Sequence, residues 1–94
     1  MYFIVALDTL DLEKAQPRVS DVVDNYKQAV NNVVNKYGHD ESPYDYFLII
    51  ELMEGILYPD VIVKAFFKFD RETGKYILAG DTPEESVKLY LAAG

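Results

Sequence analysis

The chain has 94 residues, of which 50% are hydrophobic, with 16 acidic against 9 basic residues and a formal net charge of −7. This length predicts a single domain over residues 1–94, and the hydrophobic fraction excludes an intrinsically disordered chain. So acidic a chain has too little clustered positive charge to displace counterions from phosphates. We therefore expect neither direct nucleic-acid binding nor attachment to an anionic membrane.

The absence of cysteine excludes disulfides and thiolate metal sites. The residues after Met1 lack the basic and small-residue pattern of a secretory signal. The apolar runs are also far shorter than the roughly 20 residues that span a bilayer. We predict a cytoplasmic protein, in the host cytoplasm if its source is viral, that needs no cofactor.

The N-terminal third predicts a strand followed by a long helix. Residues 2–8 are rich in β-branched and aromatic side chains, which favours a strand, and residues 9–16 are a loop or one helical turn. From 17 to 37, apolar residues recur at helical spacing along one stripe. Pro17 suits the first turn of this helix, and Gly38 suits its end. The stripe consists of Val19, Val22, Val23, Tyr26, Ala29, Val30, Val33, Val34 and Tyr37.

The middle of the chain predicts a three-stranded meander. Strands are expected over 44–53, 60–70 and 75–79, since apolar and β-branched residues dominate each segment. A tight turn joins the last two strands. Asp70 is placed to start this turn, and Gly74 is placed to take its left-handed position.

A capping box starts the C-terminal helix. Thr82 suits the N-cap, Pro83 the first helical position and Glu85 the third, where its carboxylate can reach back to the chain. The segment GDTPEES around this box resembles the strand-to-helix junction of HicB-type antitoxins. The side chains of this helix expected to dock on the sheet are Val87, Tyr90 and Leu91.

The predicted element order is β-α-β-β-β-α. It indicates an α+β fold, a two-layer sandwich of an antiparallel-rich sheet with two helices on one face. The α-β-β-β-α part resembles the element order of double-stranded-RNA-binding domains. That family has basic residues at the start of its last helix, where this chain has Asp81, Glu84 and Glu85. The resemblance therefore implies a topology and carries no function.

The strands are apolar on both faces, whereas the predicted helices cover only one. Along 60–70, we expect Val61, Val63, Ala65, Phe67 and Phe69 to lie under the helices. The opposite, outer face is expected to contact a second copy of the chain, because a monomer rarely exposes such a patch. The interface residues expected there are Phe47, Ile49, Met53, Ile62, Lys64 and Phe66. In the alternative arrangement, residues 9–16 or the C-terminal residues fold over this face.

Three tyrosines border the predicted loops and are candidate contacts for a protein partner, since tyrosine is enriched in interfaces. They are Tyr44, Tyr46 and Tyr58. In the other interpretation, these rings belong to the rim of the core and keep their hydroxyls in water.

No residue pattern in the chain indicates catalysis or metal binding. His39 is the only histidine and lies in the polar segment GHDES, and no motif in the chain marks a serine or cysteine as a nucleophile. Asp45 and Glu51 would share a strand face at a separation of roughly 20 Å, which one ion cannot bridge. We predict no catalytic residues, no metal site and no enzymatic activity.

These observations favour a small acidic interaction or regulatory protein that acts as a homodimer through its open sheet face. The alternative is an acidic inhibitor of viral or mobile-element origin that mimics nucleic acid and blocks a nucleic-acid-binding protein. Such a mimic needs carboxylates in a row. The candidates for that row are Asp21 and Asp24 on the long helix, with Asp40 and Glu41 beyond it.

Overall fold

The structure is a computed structural model, and it describes residues 1–11, 13–36, 44–53 and 60–93. These residues form an α+β fold in which a five-stranded antiparallel open sheet is combined with two helices. The predicted fold class is confirmed. The element order is β-β-α-β-β-β-α, one strand more than the sequence predicts.

The elements have the following bounds. β1 spans Tyr2–Leu7, β2 spans Arg18–Val23, and α1 spans Tyr26–Asn31 and continues as a π-helical turn over Asn32–Lys36. β3 spans Tyr46–Met53, β4 spans Asp60–Asp70, β5 spans Lys75–Leu78, and α2 spans Pro83–Ala93. The strand order in the sheet is β2-β1-β3-β4-β5, and all neighbours are antiparallel.

The long helix predicted from residue 17 is wrong in its first part, which forms β2. Val23 at the end of β2 lies opposite Tyr2 of β1. α1 begins only after Asn25, whose Oδ1 accepts the N–H of Gln28 at 2.7 Å. The valines of this segment fit a helical stripe, but valine is also a strong strand former. Pairing with β1 selects the strand, because it satisfies backbone groups that β1 would otherwise expose.

α1 and its π-helical turn cover one side of the sheet, termed here the first face. Ala29 and Val33 are completely buried there. The buried ring of Tyr76 meets Phe47 edge-on with centroids 4.6 Å apart, and its hydroxyl donates to the backbone carbonyl of Tyr44. A tyrosine is stable in such a core because its polar end is satisfied. The buried cluster of the first face is Ile4, Ala6, Val23, Ala29, Val33, Phe47, Ile49, Ala65, Phe67 and Tyr76.

The opposite side, termed the second face, has a smaller buried cluster. Its members are Val5, Leu7, Leu48, Phe66 and Ala79. Leu10 and Ala15, from the segment between β1 and β2, pack against it together with Tyr90 of α2. The Tyr90 ring centroid lies 5.3 Å from that of Phe66. Leu10, Ala15 and Tyr90 therefore cover part of this face, as the alternative arrangement expects of residues 9–16 or the C-terminal residues.

α2 lies along the free edge of β4, next to the point where β5 ends, and not across the first face as expected. Its first turn approaches Tyr26 at the end of the first face, while Tyr90 packs against the second. The buried Oγ of Ser86 accepts the N–H of Phe66 at 3.0 Å, while the Phe66 carbonyl accepts the N–H of Ala79. α2 thus replaces a strand partner at this edge. The reason is length, because β5 has 4 residues and β4 has 11. Leu91, expected to dock on the sheet, is 65% exposed.

Two local predictions are confirmed. Thr82 caps α2, since its Oγ1 accepts the N–H of Glu85 at 3.1 Å, and the Glu85 carboxylate accepts the N–H of Asp81 at 3.4 Å. In the turn between β4 and β5, the Asp70 carbonyl accepts the N–H of Gly74 at 2.8 Å. Gly74 has a φ of 70°, the left-handed conformation that this turn requires.

Candidate interaction surface

A bulge in β4 decides which of its side chains face each side of the sheet. β3 and β4 pair with Ile49 opposite Ala65, and the next pair is Ile50 opposite Val63. Lys64 therefore has no residue opposite it and forms a β-bulge. The valines before the bulge consequently belong to the second face, whereas the alanine after it lies on the first. The prediction that the side chains of 60–70 alternate without a break, so that Val61 and Val63 lie under the helices with Ala65, is therefore wrong for the two valines.

The second face is only partly covered, and a contiguous set of apolar side chains lies beside its buried cluster. One row crosses four strands through directly opposite residues, namely Val22, Phe3, Ile50 and Val63. Directly opposite residues share a face, and so do residues two positions apart on a strand. The opposite pair Leu52 and Val61 therefore lies next to this row. We define the apolar strip as Phe3, Val22, Ile50, Leu52, Val61 and Val63.

The apolar strip reaches solvent along its length. Val61 is 61% exposed and Val22 is 45% exposed, and the other members are half-buried. Val19, 53% exposed and opposite Val5, extends the apolar surface along the edge strand β2. The strip spans four strands, or roughly 15 Å, and none of its six side chains is charged. Contiguous exposed apolar surface of this kind is typical of interaction sites.

Three of the six residues predicted as an interface are inside the monomer. Phe47 and Ile49 are 2% and 0% exposed under α1, and Phe66 is 4% exposed on the opposite side of the sheet. Their expected exposure on one outer face is therefore corrected. Phe47 lies opposite Phe67, so both are on the first face, where the sequence places only Phe67.

The other three predicted interface residues lie at one end of the first face. Ile62 is 40% exposed and is opposite Glu51, and Met53 is 48% exposed at the end of β3. The Lys64 Nζ lies 3.9 Å from Oε1 of Glu51. These side chains do not join the apolar strip, which is on the other side of the sheet. No sequence signal marks the strip itself, because its boundary depends on the bulge and on β2.

The candidate contact tyrosines contribute to the two cores. Tyr44 packs against the first cluster, and Tyr46 packs against the second. The Tyr46 ring stacks on Phe66 with a centroid distance of 5.6 Å. Tyr58 lies outside the described residues.

Two other tyrosines at the end of the first face keep their protons well above neutral pH. A hydrogen bond with the Glu51 carboxylate raises the pKa of Tyr2, with burial adding to the effect. Burial raises the pKa of Tyr26, and the negative charge of Glu84 adds to it. Both phenols are therefore neutral hydrogen-bonding groups under physiological conditions.

The acidic row expected of a nucleic-acid mimic is not on a long helix. Asp21 lies on β2, where its Oδ2 accepts the side-chain N–H of Asn32 at 3.1 Å. Asp24 is exposed in the connection between β2 and α1. The other two candidates, Asp40 and Glu41, lie outside the described residues, as does His39.

In the part of the chain that the structure describes, no group of three histidine, aspartate or glutamate side chains is placed to hold a metal ion. Glu51, considered with Asp45 as a carboxylate pair, is instead in contact with Lys64 and Tyr2. No helix among the described residues is both long enough and apolar enough to cross a membrane.

Comparison with known proteins yields no relative: the chain matches no family model, no curated protein and no solved structure. The likeness to double-stranded-RNA-binding domains therefore concerns element order, and the likeness to HicB-type antitoxins concerns one short segment. Any function has to be argued from the surface of this chain itself.

Proposed function

We propose that this protein is a small acidic interaction protein without catalytic activity, which acts as a homodimer through the apolar strip. The single observation that supports this proposal is the strip itself, six adjoining apolar side chains that the cover of the second face leaves open to water. Removing apolar surface from water contributes roughly 25 cal/mol per Å², so a partner that covers the strip is favoured.

A second copy of the chain supplies a surface of matching chemistry. The strip belongs to a sheet and is apolar throughout, so a two-fold axis can set it against the same strip of another copy. Two sheets packed face to face lie about 10 Å apart with their apolar side chains interdigitated. A phosphate or a strongly charged peptide would find no charged group of opposite sign within the strip.

Charge and size predict that this dimer is weak and reversible. Each copy has a formal net charge of −7, so like-charge repulsion opposes association, and added salt should strengthen it by screening. The strip consists of six side chains and is roughly 15 Å across, so its area is smaller than the roughly 800 Å² per partner of a standard interface. We expect a dissociation constant in the micromolar range or weaker.

Val61→Asp tests the proposal with little risk to the fold. Val61 is 61% exposed, so the substitution leaves the buried clusters intact and places a charge in the strip. In sedimentation equilibrium, the wild-type mass should rise with concentration above the 10.7 kDa of the monomer. Val61→Asp should weaken association at least tenfold, or by roughly 1.4 kcal/mol. The matched control is Leu91→Asp, the same charge change at a side chain that is 65% exposed on α2.

Two results would count against self-association through the strip. One is a wild-type protein that stays monomeric at millimolar concentration in high salt. The other is an equal loss of association in Val61→Asp and Leu91→Asp, which would indicate an effect of charge alone. Phe66→Asp is unsuitable, because that ring is only 4% exposed and a buried carboxylate would unfold the monomer.

The alternative function, an acidic inhibitor that mimics nucleic acid, stays a prediction from composition. Asp21 is hydrogen-bonded to Asn32 and does not form a row with Asp24 on one helix. Nothing else in the described part of the chain specifically favours a mimic.

A further inference from the structure

A cleft opens at the end of the first face between α1, β4 and α2. Its volume is about 550 Å³, within the range of small-molecule sites. Tyr26 of α1 forms one wall, Ile62 and Lys64 of β4 form the floor, and Val87 and Lys88 of α2 form the other wall. Most of the surface of this lining is apolar, and its polar groups belong to tyrosine, lysine and glutamate side chains.

The aromatic wall of the cleft suits a flat ring. The rings of Tyr2 and Tyr26 are 5.9 Å apart and tilted by 57°, so they present a face and an edge at an angle. Aromatic groups prefer such tilted or offset contacts to face-to-face stacking. Opposite the tyrosines, Ile62 is 40% exposed and Val87 is half-buried. A planar apolar group can therefore contact aromatic and aliphatic side chains at the same time.

Two of the chain's lysines, Lys64 and Lys88, line the cleft together with one carboxylate, Glu84. Glu51 lies beside Lys64, so the charges around the cleft balance, whereas the whole chain has −7. Glu84 is one helical turn from Lys88. Lys64 is 40% exposed and its Nζ lies 3.9 Å from Glu51, at the limit of an ion pair. Its ammonium group can therefore turn toward a ligand anion.

We propose that this cleft binds a small aromatic carboxylate. The ring lies between the two tyrosines and the aliphatic side chains, and the carboxylate faces Lys64 and Lys88. This goes beyond self-association. The cleft opens toward the first face and the apolar strip lies on the second, and the two sites share one lining residue, Val63. The bound carboxylate gains charge-assisted contacts, and the apolar lining provides the burial.

The test is an NMR titration of the ¹⁵N-labelled full chain with 3-phenylpropionate, and with 3-phenylpropionamide as the uncharged match. We expect amide shifts at Tyr2, Tyr26 and Ile62 and in the first turns of α2. The dissociation constant of the acid should be about 1 mM, as is usual for a ligand of this size. The acid should bind at least fivefold more tightly than the amide.

Two substitutions separate the charged from the apolar contribution. Lys64→Gln should weaken binding of the acid roughly fivefold and leave the amide unchanged, whereas Ile62→Ala should weaken both. Lys75→Gln, at an exposed lysine of β5, is the control and should change neither. If Lys64→Gln lowers the melting temperature because it disturbs Glu51, Lys88→Gln is used instead, since Lys88 is exposed on α2 and its loss should also weaken binding of the acid only.

Equal affinity for acid and amide would overturn the assignment, and so would shifts located outside the cleft. Absence of shifts at 20 mM of either compound, about twentyfold above the expected constant, would also overturn it. None of these results bears on the dimer, which sedimentation measures without ligand.

Discussion

The two faces of this sheet are similar in their apolar sequence and differ in their cover. The first face lies under α1 and its π-helical turn, which bring Ala29 and Val33 into contact with the sheet. The second face is covered by an irregular segment that contributes Leu10 and Ala15, and by Tyr90 at the rim. Whether a face of this sheet is open to water therefore depends on the segments that pack over it, and not on the apolar sequence of its strands.

The position of α2 explains why the second face stays partly open. The helix is held at the edge of β4 by the hydrogen bond from the Phe66 N–H to the Ser86 Oγ. From there only Tyr90 reaches the buried cluster of the second face, while Leu89 and Leu91 remain 46% and 65% exposed. An edge helix covers a margin of the sheet and cannot close its centre.

The largest expected effect is on the free energy of unfolding, which truncation of a side chain on the first face should lower more than truncation on the second. Phe47→Ala should lower the free energy of unfolding by about 3–5 kcal/mol, because it leaves a cavity under α1 where the ring is 2% exposed. Ile50→Ala, in the half-buried strip, should lower it by roughly 1–2 kcal/mol, below the range for fully buried side chains. Urea denaturation of both variants measures the difference. Equal losses would show that the two faces are equally closed.

Ser86→Ala tests whether α2 substitutes for a strand at the edge. The substitution leaves the N–H of Phe66 without its acceptor, which should destabilise the domain by about 1–3 kcal/mol and speed hydrogen exchange at that amide. Ser20→Ala is the control, because Ser20 is exposed on β2 and should change stability by less than about 0.5 kcal/mol. If hydrogen exchange at the Phe66 amide were unchanged in Ser86→Ala, α2 would not be replacing a strand as the hydrogen-bonding partner of β4.

Thr82→Ala should have the smallest effect, about 1 kcal/mol of unfolding free energy, because the N-cap acceptor of α2 is lost. Thr82→Ser keeps that acceptor and should melt close to the wild type. Neither change should alter self-association, since Thr82 is not part of the strip. If Thr82→Ala abolished association with unchanged melting, the contact surface would be the start of α2 and not the second face.

The sequence predicts much of the fold, because local chemistry determines it. The turn at Gly74 and the cap at Thr82 are specified by neighbouring residues, and both are found as predicted. The sequence does not predict β2, because its valines fit a helix as well as a strand and only pairing with the distant strand β1 selects the strand.

The sequence does not predict the candidate site, because the site depends on contacts between strands. The bulge at Lys64 reverses the faces of the valines before it, and no local pattern marks such an insertion. The pairing of β3 with β4 also determines which of their side chains share a face. It sets Phe47 opposite Phe67, so both lie on the first face. The alternation of side chains within each strand alone therefore predicts Phe47 and Ile49 on the outer face.

Self-association through the strip can be observed by comparing ¹H–¹⁵N spectra of the wild-type chain at low and high protein concentration in moderate salt. We expect concentration-dependent shifts at the strip, strongest at Ile50, Val61 and Val63, and none at Ala29 or Val33 under α1. Spectra that do not change with concentration, or shifts confined to α1 and the first face, would contradict it.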